Sequence, residues 1–323
     1  MKLIIPMAGM GKRLRPHTLH IPKPLLKVAG KHIVEWIIDY FNSSINKNIT
    51  EIHFVTGKFG SEVEMKLTSL AEKIGAKGFI HYQEEALGTA HAIYCAKDAL
   101  EGNVLIAFAD TLFQGKFDID DNDESIMWCM KVKNPENYGV VKTDENNIIT
   151  EFVEKPKEFV SDNALIGIYY FAKGEMLKNE IHDLIENNLK ENNEFQLTNC
   201  LETLKQNGLQ IKCKNIDEWL DCGNRNELIK TNRRLIELNN FRYNDELNKV
   251  SGTSKINNSS VTDHCYIEDN CSIVNSKLKN CIVYENTILE NCEFEDSVIG
   301  ANSNIVGLKG RVDFSEKTKY ETL

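Results

Sequence analysis

The stretch LIIPMAGMGKRLRPHTLHIPKP, residues 3–24, decides the fold and much of the expected chemistry. Its first five residues, 3–7, are apolar and predict a buried strand. Gly9 and Gly11 follow in a turn whose backbone can approach a ligand closely and whose N–H groups can converge on phosphate oxygens. Lys23 stands between two prolines, which restrict the backbone that carries it.

Charge sets this stretch apart from the rest of the chain. The formal net charge of the protein is -10, yet residues 1–34 contain seven Lys or Arg and no Asp or Glu. A basic, glycine-containing loop in an acidic protein predicts a small polyanionic ligand that is bound locally, and an ordinary turn after a strand is the alternative. The acidic balance argues against non-specific nucleic-acid binding, which needs a basic face.

Two common phosphate-binding loops fit the stretch poorly. In a P-loop the Gly-Lys pair is followed by Ser or Thr, but Gly11-Lys12 is followed by Arg13, and Pro6 stands where the first Gly belongs. A dinucleotide-binding loop needs a third Gly or Ala where this chain has Leu14.

Length and cysteine usage limit the class of protein. A chain of 323 residues can hold one large domain and a smaller one. The nine cysteines include no Cys-x-x-Cys pair, which favours reduced thiols in a cytoplasmic protein over a disulfide framework or a zinc site. No apolar run approaches the roughly 20 residues needed to cross a bilayer, so we expect no membrane partner and no signal segment.

Strand-like and helix-like segments alternate up to about residue 230, which predicts a Rossmann-like α/β fold with a mixed, mostly parallel sheet and helices on both faces. Helices are predicted over 33–41, 61–74, 89–100, 175–191 and 198–206, and strands over 3–7, 52–56, 79–82, 104–109, 126–132, 140–142, 148–153 and 164–172. A charged helix over 232–247 is expected to link this region to the next.

Residues 256–308 show an imperfect six-residue period. Three pairs of aliphatic residues are six positions apart: Ile267 and Ile273, Val283 and Leu289, and Ile299 and Ile305. A small residue often stands four positions after the first residue of a pair. This pattern is typical of hexapeptide repeats that wind into a parallel β-helix, here expected to be small and left-handed. Lys277 at a small position and five-residue steps such as Leu278 to Val283 depart from it, and a plain β-meander is the alternative.

The cysteines of this region have a spacing that fits small core residues of the coils better than metal ligands. They are Cys265, Cys271, Cys281 and Cys292.

Two carboxylates are candidates for a metal site. Asp110 ends the apolar run 104–109, where the carboxyl end of a central strand would present it to a ligand, although it could instead cap the next turn. Asp221 is the second candidate. Mg²⁺ takes one or two carboxylates and completes its shell with water and phosphate oxygens, so we expect it as the cofactor.

Other side chains suit a nucleotide and a sugar phosphate. The Gln83 amide offers a donor and an acceptor and can read a base edge. Glu154 can accept hydrogen bonds from vicinal hydroxyls, and Lys155 can pair with a phosphate. Gly139, which follows Tyr138, has no side chain and so leaves room where a sugar ring could enter.

Read in order, these motifs resemble the signature of the sugar-1-phosphate nucleotidyltransferases, or nucleotide-sugar pyrophosphorylases, over residues 1–230. Within that family the chain looks most like bacterial glucose-1-phosphate thymidylyltransferase-like proteins with a hexapeptide-repeat tail. The matching motifs are Ala8-Gly9-Met10-Gly11-Lys12-Arg13-Leu14-Arg15-Pro16, Pro22-Lys23-Pro24-Leu25, Gln83, Gly88-Thr89-Ala90, Ala109-Asp110, Tyr138-Gly139-Val140-Val141, Glu154-Lys155-Pro156, Gly167-Ile168-Tyr169 and Trp219-Leu220-Asp221-Cys222-Gly223. The chain has Ala8, Lys12, Ala109 and Asn224 where the family more often has Gly, Thr, Gly and Thr.

The resemblance implies a role for each matching residue. The catalytic cations would be Arg13, Lys23 and Lys155. The nucleotide would be bound by Ala8, Gly9, Gly11, Gln83, Gly88 and Thr89. The sugar phosphate would be bound by Tyr138, Gly139, Glu154, Lys155 and Tyr169, and Mg²⁺ by Asp110 and Asp221.

The expected reaction joins a nucleoside triphosphate and a sugar 1-phosphate into a nucleotide-sugar with release of pyrophosphate, with dTTP and glucose 1-phosphate as the expected pair. Uridylyl transfer to glucose 1-phosphate, guanylyl transfer to mannose 1-phosphate and a non-catalytic nucleotide-sugar-binding protein are the alternatives. The expected domains are a catalytic domain over 1–231, a linker helix over 232–250 and a β-helix with its tail over 251–323. Assembly into a homo-oligomer is a further expectation.

Overall fold

The computed structural model describes residues 1–9 and 11–321, with the backbone alone at Thr111. Within these residues, no helix combines the length and the apolar character needed to cross a membrane. The chain divides into two compact units. Residues 1–9 and 37–219 form the sheet unit, and residues 11–36 and 220–321 form the coil unit.

The helices and strands of the described residues follow in chain order. The α-helices are α1 Ile33–Ser44, α2 Ser61–Lys73, α3 Thr89–Tyr94, α4 Gly174–Glu186, α5 Leu197–Gln206 and α6 Arg225–Leu238. The first strands are β1 Lys2–Pro6, β2 Lys27–Val28, β3 Lys31–His32, β4 Glu51–Thr56, β5 Lys77–Tyr82, β6 Val104–Ala107, β7 Thr111–Gln114, β8 Ser125–Lys131, β9 Gly139–Thr143, β10 Ile149–Glu154, β11 Asn163–Phe171, β12 Ile211–Asn215 and β13 Glu218–Asp221. The remaining strands are β14 Arg242–Tyr243, β15 Glu246–Leu247, β16 Lys249–Val250, β17 Lys255–Asn257, β18 Ser260–Thr262, β19 Tyr266–Ile267, β20 Ser272–Val274, β21 Lys277–Lys279, β22 Ile282–Val283, β23 Ile288–Glu290, β24 Glu293–Glu295, β25 Val298–Ile299, β26 Asn304–Val306, β27 Lys309–Gly310, β28 Asp313–Phe314 and β29 Lys319–Glu321.

The sheet unit is built on a mixed sheet in the order β10-β9-β11-β6-β1-β4-β5, with β8 beside β11 and β12 beside β8. β1 is parallel to β4 and β6, β4 is parallel to β5, and β11 is antiparallel to β6. Leu3, Ile4 and Ile5 of β1 are fully buried, because both faces of a central strand are covered. The predicted mixed sheet with helices is confirmed.

The C-terminal part of the coil unit is a parallel β-helix with three sheets. Their strand orders are β16-β19-β22-β25-β28, β17-β20-β23-β26-β29 and β18-β21-β24-β27. Ile267 lies beside Val283, and Ile273 lies beside Leu289, so these coils are 16 residues long. The predicted parallel β-helix is confirmed, and its handedness stays a prediction.

The coil length corrects the six-residue period. In the 16-residue coils that begin at Ile267, only the step from the first of the three sheets to the second spans six residues, and the three aliphatic pairs of the sequence pattern all lie on this step. The other two steps of these coils span five residues, as from Ile273 to Leu278 and from Leu278 to Val283, whereas the earlier step from Val261 to Ile267 also spans six. Lys277 therefore lies on the outer face of a strand, and Ser276 takes the buried small position.

Asparagine forms many of the corners of the β-helix. Asn270, Asn286 and Asn302 have φ of 57°, 56° and 58°, in the left-handed region that asparagine tolerates better than most residues. A buried small residue follows each corner, as Cys271 follows Asn270. Cys265, Cys281 and Cys292 are buried in the same way, so their predicted role as small core residues is confirmed.

Several helix boundaries differ from the prediction. The helix predicted over 232–247 is α6, which begins at Arg225 and ends at Leu238, and a short hairpin of β14 and β15 follows it. Asn224 starts α6, because its side-chain oxygen accepts hydrogen bonds from the Asn226 and Glu227 N–H groups at 3.0 and 3.1 Å. α4 ends at Glu186 rather than 191, and α3 ends at Tyr94, before a short 3₁₀ turn at Lys97–Ala99.

Candidate functional site

The candidate site begins at one edge of the sheet unit. β1 and β6 are parallel neighbours, so their carboxyl ends meet at the same edge. Ala8 and Gly9 follow β1, and Asp110 follows β6 within a turn. The Ala109 N–H donates to the Pro6 carbonyl at 3.3 Å, which holds the two chain segments together. Asp110 therefore lies where ligands of open α/β sheets bind.

Tyr169 of β11 links Asp110 to the predicted sugar-phosphate residues. Its side chain is buried, and its ring meets Phe108 edge-on at 6.2 Å between centroids. Burial raises the pKa of the Tyr169 phenol well above its ordinary value, and the carboxylates of Glu154 and Asp110 raise it further. The hydroxyl therefore stays protonated, and both carboxylates lie within electrostatic reach of it.

Gly139 and Glu154 face each other across the hairpin of β9 and β10. A Cβ added at Gly139 would lie 2.9 Å from Glu154 Oε2, so the missing side chain leaves the carboxylate room. The exposed Lys155 has a φ of 43°, and its N–H donates to the Tyr138 carbonyl at 3.1 Å. Its ammonium lies 3.7 Å from the Glu154 carboxylate. The Tyr138 ring meets the Trp219 ring at 5.1 Å.

Gln83 follows β5 at the same edge and contacts the next loop. Its Nε2 donates to the Gly88 carbonyl at 3.2 Å and lies 3.2 Å from His91 Nδ1. Burial lowers the pKa of His91, which favours the neutral ring that can accept this second hydrogen bond. The Gln83 amide nitrogen is thus held inside the protein, and its reading of a base stays a prediction.

Gly88 and Thr89 fix the start of α3 against another part of the chain. Gly88 has a φ of 116°, and a Cβ there would lie 2.5 and 2.6 Å from the Phe195 carbonyl oxygen and nitrogen. Thr89 Oγ1 accepts a hydrogen bond from the Leu197 N–H at 3.0 Å. Only glycine fits at position 88 without a shift of the backbone. The fold itself therefore requires glycine there, whether or not Gly88 also binds a nucleotide as predicted.

The coil unit contains the predicted phosphate loop from Gly11 onward, and Met10 lies outside the described residues. Gly11 has a φ of 61°, and a Cβ there would lie 2.8 Å from Lys23 Cβ and 3.2 Å from Thr18 Cγ2. Thr18 Oγ1 donates to the Gly11 carbonyl at 2.7 Å. The loop and the buried Lys23 are therefore packed together, while Arg13 is exposed.

The two predicted metal ligands lie in different units. Asp110 belongs to the sheet unit, whereas Asp221 belongs to the coil unit, where its Oδ1 accepts from the Gly223 N–H at 2.7 Å. Both supply the carboxylate oxygens that Mg²⁺ prefers. No group of three or more His, Cys, Asp or Glu side chains in the described residues is arranged to hold a metal, and the shared Mg²⁺ site stays a prediction.

Two residues without a predicted role lie beside predicted site residues. His91 lies against Gln83, and its position two residues after Thr89, in the first turn of a helix, was the available signal. Trp219 packs on Tyr138, and the signal was its place two residues before Asp221 in a candidate motif.

The fold and the positions of the candidate residues indicate a class of protein. Glycine turns and a carboxylate at the carboxyl ends of parallel strands are typical of nucleotide-binding α/β proteins. The sequence matches the Nucleotidyl transferase family over residues 2–237. The chain belongs to this family and is a nucleotidyltransferase, as the sequence motifs predicted.

Named relatives agree with the family. The chain is 30% identical over 348 residues to the bifunctional protein GlmU of Methanococcus maripaludis strain S2, covering 94% of this chain and 78% of that protein. It is 32% identical over 179 residues to the mannose-1-phosphate guanylyltransferase catalytic subunit beta of Drosophila melanogaster, covering 53% of this chain and 48% of that one.

A solved structure has a similar fold. It is a provisionally named glucose-1-phosphate thymidylyltransferase of Bacillus anthracis in complex with a sucrose, with a TM-score of 0.60 and 22% identity. The match covers 76% of this chain and 97% of that one. At this identity the likeness supports the fold alone.

Proposed function

We propose that the protein transfers a nucleotidyl group from a nucleoside triphosphate to a sugar 1-phosphate, giving a nucleotide-sugar and pyrophosphate. The observation that supports the proposal is the strand register, which puts the Gly139–Glu154 pair and the turn that holds Asp110 at the same end of the sheet, with Tyr169 on the strand between them. A buried phenol that stays protonated and a carboxylate beside an open glycine suit the hydroxyls of a sugar. dTTP and glucose 1-phosphate are the first pair to test.

The proposed chemistry is a single in-line displacement. An oxygen of the sugar 1-phosphate attacks the α-phosphorus, the new P–O bond forms, and the bond to pyrophosphate breaks. The nucleophile is already an anion near neutral pH, so no general base is needed. Catalysis then rests on positioning and on neutralising charge.

Each cation has a proposed place in that chemistry. Arg13 is exposed after Gly11 and would hold the triphosphate, whereas Lys23 is buried against Gly11 and would neutralise charge at the reacting phosphates. Lys155 lies beside Glu154 and would bind the phosphate of the sugar. Asp110 and Asp221 would hold Mg²⁺, which when bound neutralises phosphate charge.

Two alternative functions use other substrates in the same reaction, and a third is a binding protein without catalytic activity. Guanylyl transfer to mannose 1-phosphate has support from the Drosophila relative, whose name states that activity. Uridylyl transfer to glucose 1-phosphate would use the same residues. A regulatory protein that only binds a nucleotide-sugar would keep the fold, but five charged residues suited to catalysis speak against it: Arg13, Lys23, Asp110, Lys155 and Asp221.

The deciding experiment is pyrophosphate release with Mg²⁺, crossing dTTP, UTP, GTP and CTP with glucose, mannose and galactose 1-phosphates. We expect the highest kcat/KM with dTTP and glucose 1-phosphate and no release in EDTA. Another preferred pair would keep the mechanism and change the substrate. If no substrate pair released pyrophosphate but dTTP stabilised the protein against heat, a non-catalytic nucleotide-sugar-binding protein would be favoured.

Assembly and compartment belong to the same proposal. We expect a homo-oligomer in the cytoplasm, and all nine cysteines have free thiols, as a reducing compartment requires. Sedimentation velocity of the full chain measures the assembly state.

A further inference from the structure

Residues 11–28, which we call the loop segment, hold little regular structure of their own. They contain two short 3₁₀ turns, Lys12–Leu14 and Lys23–Leu25, and the two-residue strand β2. Ordering such a segment around a ligand costs conformational entropy and so weakens binding, unless other contacts have already ordered the segment. Yet His17, Thr18 and the run 22–26, which includes Lys23, are buried, although residues 19–21 between them are exposed. Something in the coil unit must therefore hold the segment.

The first contact joins Lys27 to the β-helix. Its ammonium forms an ion pair with the carboxylate of Glu268, which is 5% exposed. The Lys27 carbonyl accepts a hydrogen bond from Tyr284 Oη at 3.2 Å. Glu268 and Tyr284 are 16 residues apart, one coil of the β-helix, so two neighbouring coils hold the same residue.

A second contact lies near the last described coil. His17 Nε2 lies 2.5 Å from Asp313 Oδ1, and the His17 ring packs on the Tyr284 ring at 6.0 Å between centroids. Asp313 is itself held by Arg225 of α6, whose Nε lies 3.6 Å from Oδ1. His20 comes within 3.9 Å of Glu316, in the same region.

A third contact runs through α6 just beyond the loop segment. Asn232 is fully buried, and its Oδ1 accepts from the Ala29 N–H at 2.9 Å while its Nδ2 donates to the His264 carbonyl at 3.1 Å. One amide thus joins Ala29, the residue that follows the loop segment, to the β-helix. With the other two contacts it fixes the chain at His17, in the middle of the segment, and at its end.

The β-helix also has one face shaped for burial. The outer strand positions of its other two sheets are largely exposed, but the corresponding positions of the first sheet are apolar and buried: Tyr266, Ile282 and Val298. Glu268 and Tyr284 lie beside this face. The exposed basic residues of the loop segment, Lys12, Arg13 and Arg15, have no part in the three contacts.

We propose that Glu268, Tyr284 and Asp313 are positioning residues for the phosphate loop, so that the β-helix sets the affinity for the triphosphate. They act through Lys27 and His17, and none of them is expected to touch the substrate. The inference rests on the proposed function for what the loop binds. The ordering of the loop itself can be measured without any turnover.

The test uses the full chain with Glu268→Gln, Asp313→Asn and the double variant. Glu295→Gln is the matched control, because Glu295 pairs with Lys279 at 2.6 Å on the same β-helix and makes none of the three contacts. We expect the double variant to raise KM for the triphosphate about tenfold, with kcat and KM for the sugar phosphate within about twofold. Glu295→Gln should leave all three unchanged.

Two further readouts separate positioning from simple loss of stability. Amide hydrogen exchange should quicken in peptides from 11–28 in the double variant but not in Glu295→Gln. The charge exchange Lys27→Glu with Glu268→Lys should recover most of the lost affinity. If the double variant does not fold, Glu268→Gln alone carries both measurements.

The outcomes distinguish this inference from the proposed function. Unchanged exchange in 11–28, or a triphosphate KM equal to that of Glu295→Gln, overturns the positioning role while wild-type turnover stands. If the wild type releases no pyrophosphate from any pair, the proposed function fails. Hydrogen exchange then decides whether the β-helix orders the segment, with the dissociation constant for Mg²⁺ and dTTP measured in place of KM.

Discussion

The sheet unit and the β-helix bury the same kinds of aliphatic side chain but place their polar residues by different rules. In the central strands β1 and β6 of the sheet unit, every residue after Lys2 is apolar and buried, and the candidate Asp110 comes only after β6 has ended. In the β-helix, charged residues stand on the strands themselves and pair between coils, as Lys279 does with Glu295 at 2.6 Å. A carboxylate therefore means different things in the two regions, and substitutions can test this.

The largest contrast is expected between Asp110→Asn and Glu293→Gln. Asp110 lies in the turn after a buried strand and is a candidate metal ligand, whereas Glu293 pairs with Lys309 at 3.4 Å on an exposed face of the β-helix. We expect Asp110→Asn to lower kcat by about 100- to 1,000-fold with an unchanged circular dichroism spectrum, because an amide is a poorer ligand and carries no charge. Glu293→Gln should remain within about twofold. Equal activities would remove Asp110 from the metal site.

A smaller effect is expected from glycines of the sheet unit. Gly88→Ala should lower the free energy of unfolding by about 2–3 kcal/mol, because the new Cβ meets the Phe195 backbone and φ is positive. Gly102 also has a positive φ, of 64°, but no atom within 4 Å of a new Cβ, so Gly102→Ala should cost only about 1 kcal/mol. Urea denaturation compares the two. Equal losses would mean that the Phe195 contact does not matter.

The sheet unit also contains a pair of histidines, of which His53 is buried and His81 is partly buried. His53 Nε2 donates to Glu51 Oε2 at 3.0 Å, and His53 Nδ1 lies 3.0 Å from His81 Nε2. Burial lowers the pKa of both rings. Glu51 opposes the shift at His53 while His81 and Lys2 add to it, and Asp98 opposes the shift at His81.

The sign of the pH effect follows from those shifts. Below the unfolded pKa of about 6.5 the unfolded chain binds more protons than the folded one, so stability falls as the pH drops through 6.5 toward the lowered folded pKa. We expect His81→Gln, which can still donate to His53, to weaken this dependence by less than about 1.4 kcal/mol per pH unit. Urea titrations at pH 7, 6 and 5 measure it. A slope as steep as that of the wild type would contradict the assignment.

The sequence predicts the sheet edge better than it predicts the loop segment. Asp110 could be placed because it follows an apolar run, and carboxyl ends of neighbouring parallel strands meet. The anchoring of Lys27 by Glu268 could not, because the two residues are 241 positions apart and no local pattern joins them. The available signal was apolar residues at outward positions of one sheet, such as Ile282 and Val298.

The repeat was predicted in kind but not in length. Six-residue spacing between Ile267 and Ile273 indicates a coil, but five-residue steps such as Ile273 to Leu278 turn the chain in the same way, and both kinds of step have a left-handed corner, at Asn270 and at Asn275. The frequent asparagines indicated the corners, since each of these corners has a residue that tolerates positive φ. Composition alone does not say which step is the short one.

The smallest expected effect tests those corners. Asn291 is exposed, has a φ of 54° and precedes the buried Cys292. Asn291→Ala should lower the free energy of unfolding by about 1 kcal/mol, because the left-handed conformation is energetically unfavourable for alanine. Asn291→Gly should remain within about 0.5 kcal/mol of the wild type, since glycine adopts that conformation freely but loses more entropy on folding. Urea denaturation followed by circular dichroism measures both. If alanine and glycine gave the same stability, backbone conformation would not explain the asparagine corners, and the comparison between repeating coils and irregular sheet loops would need another basis.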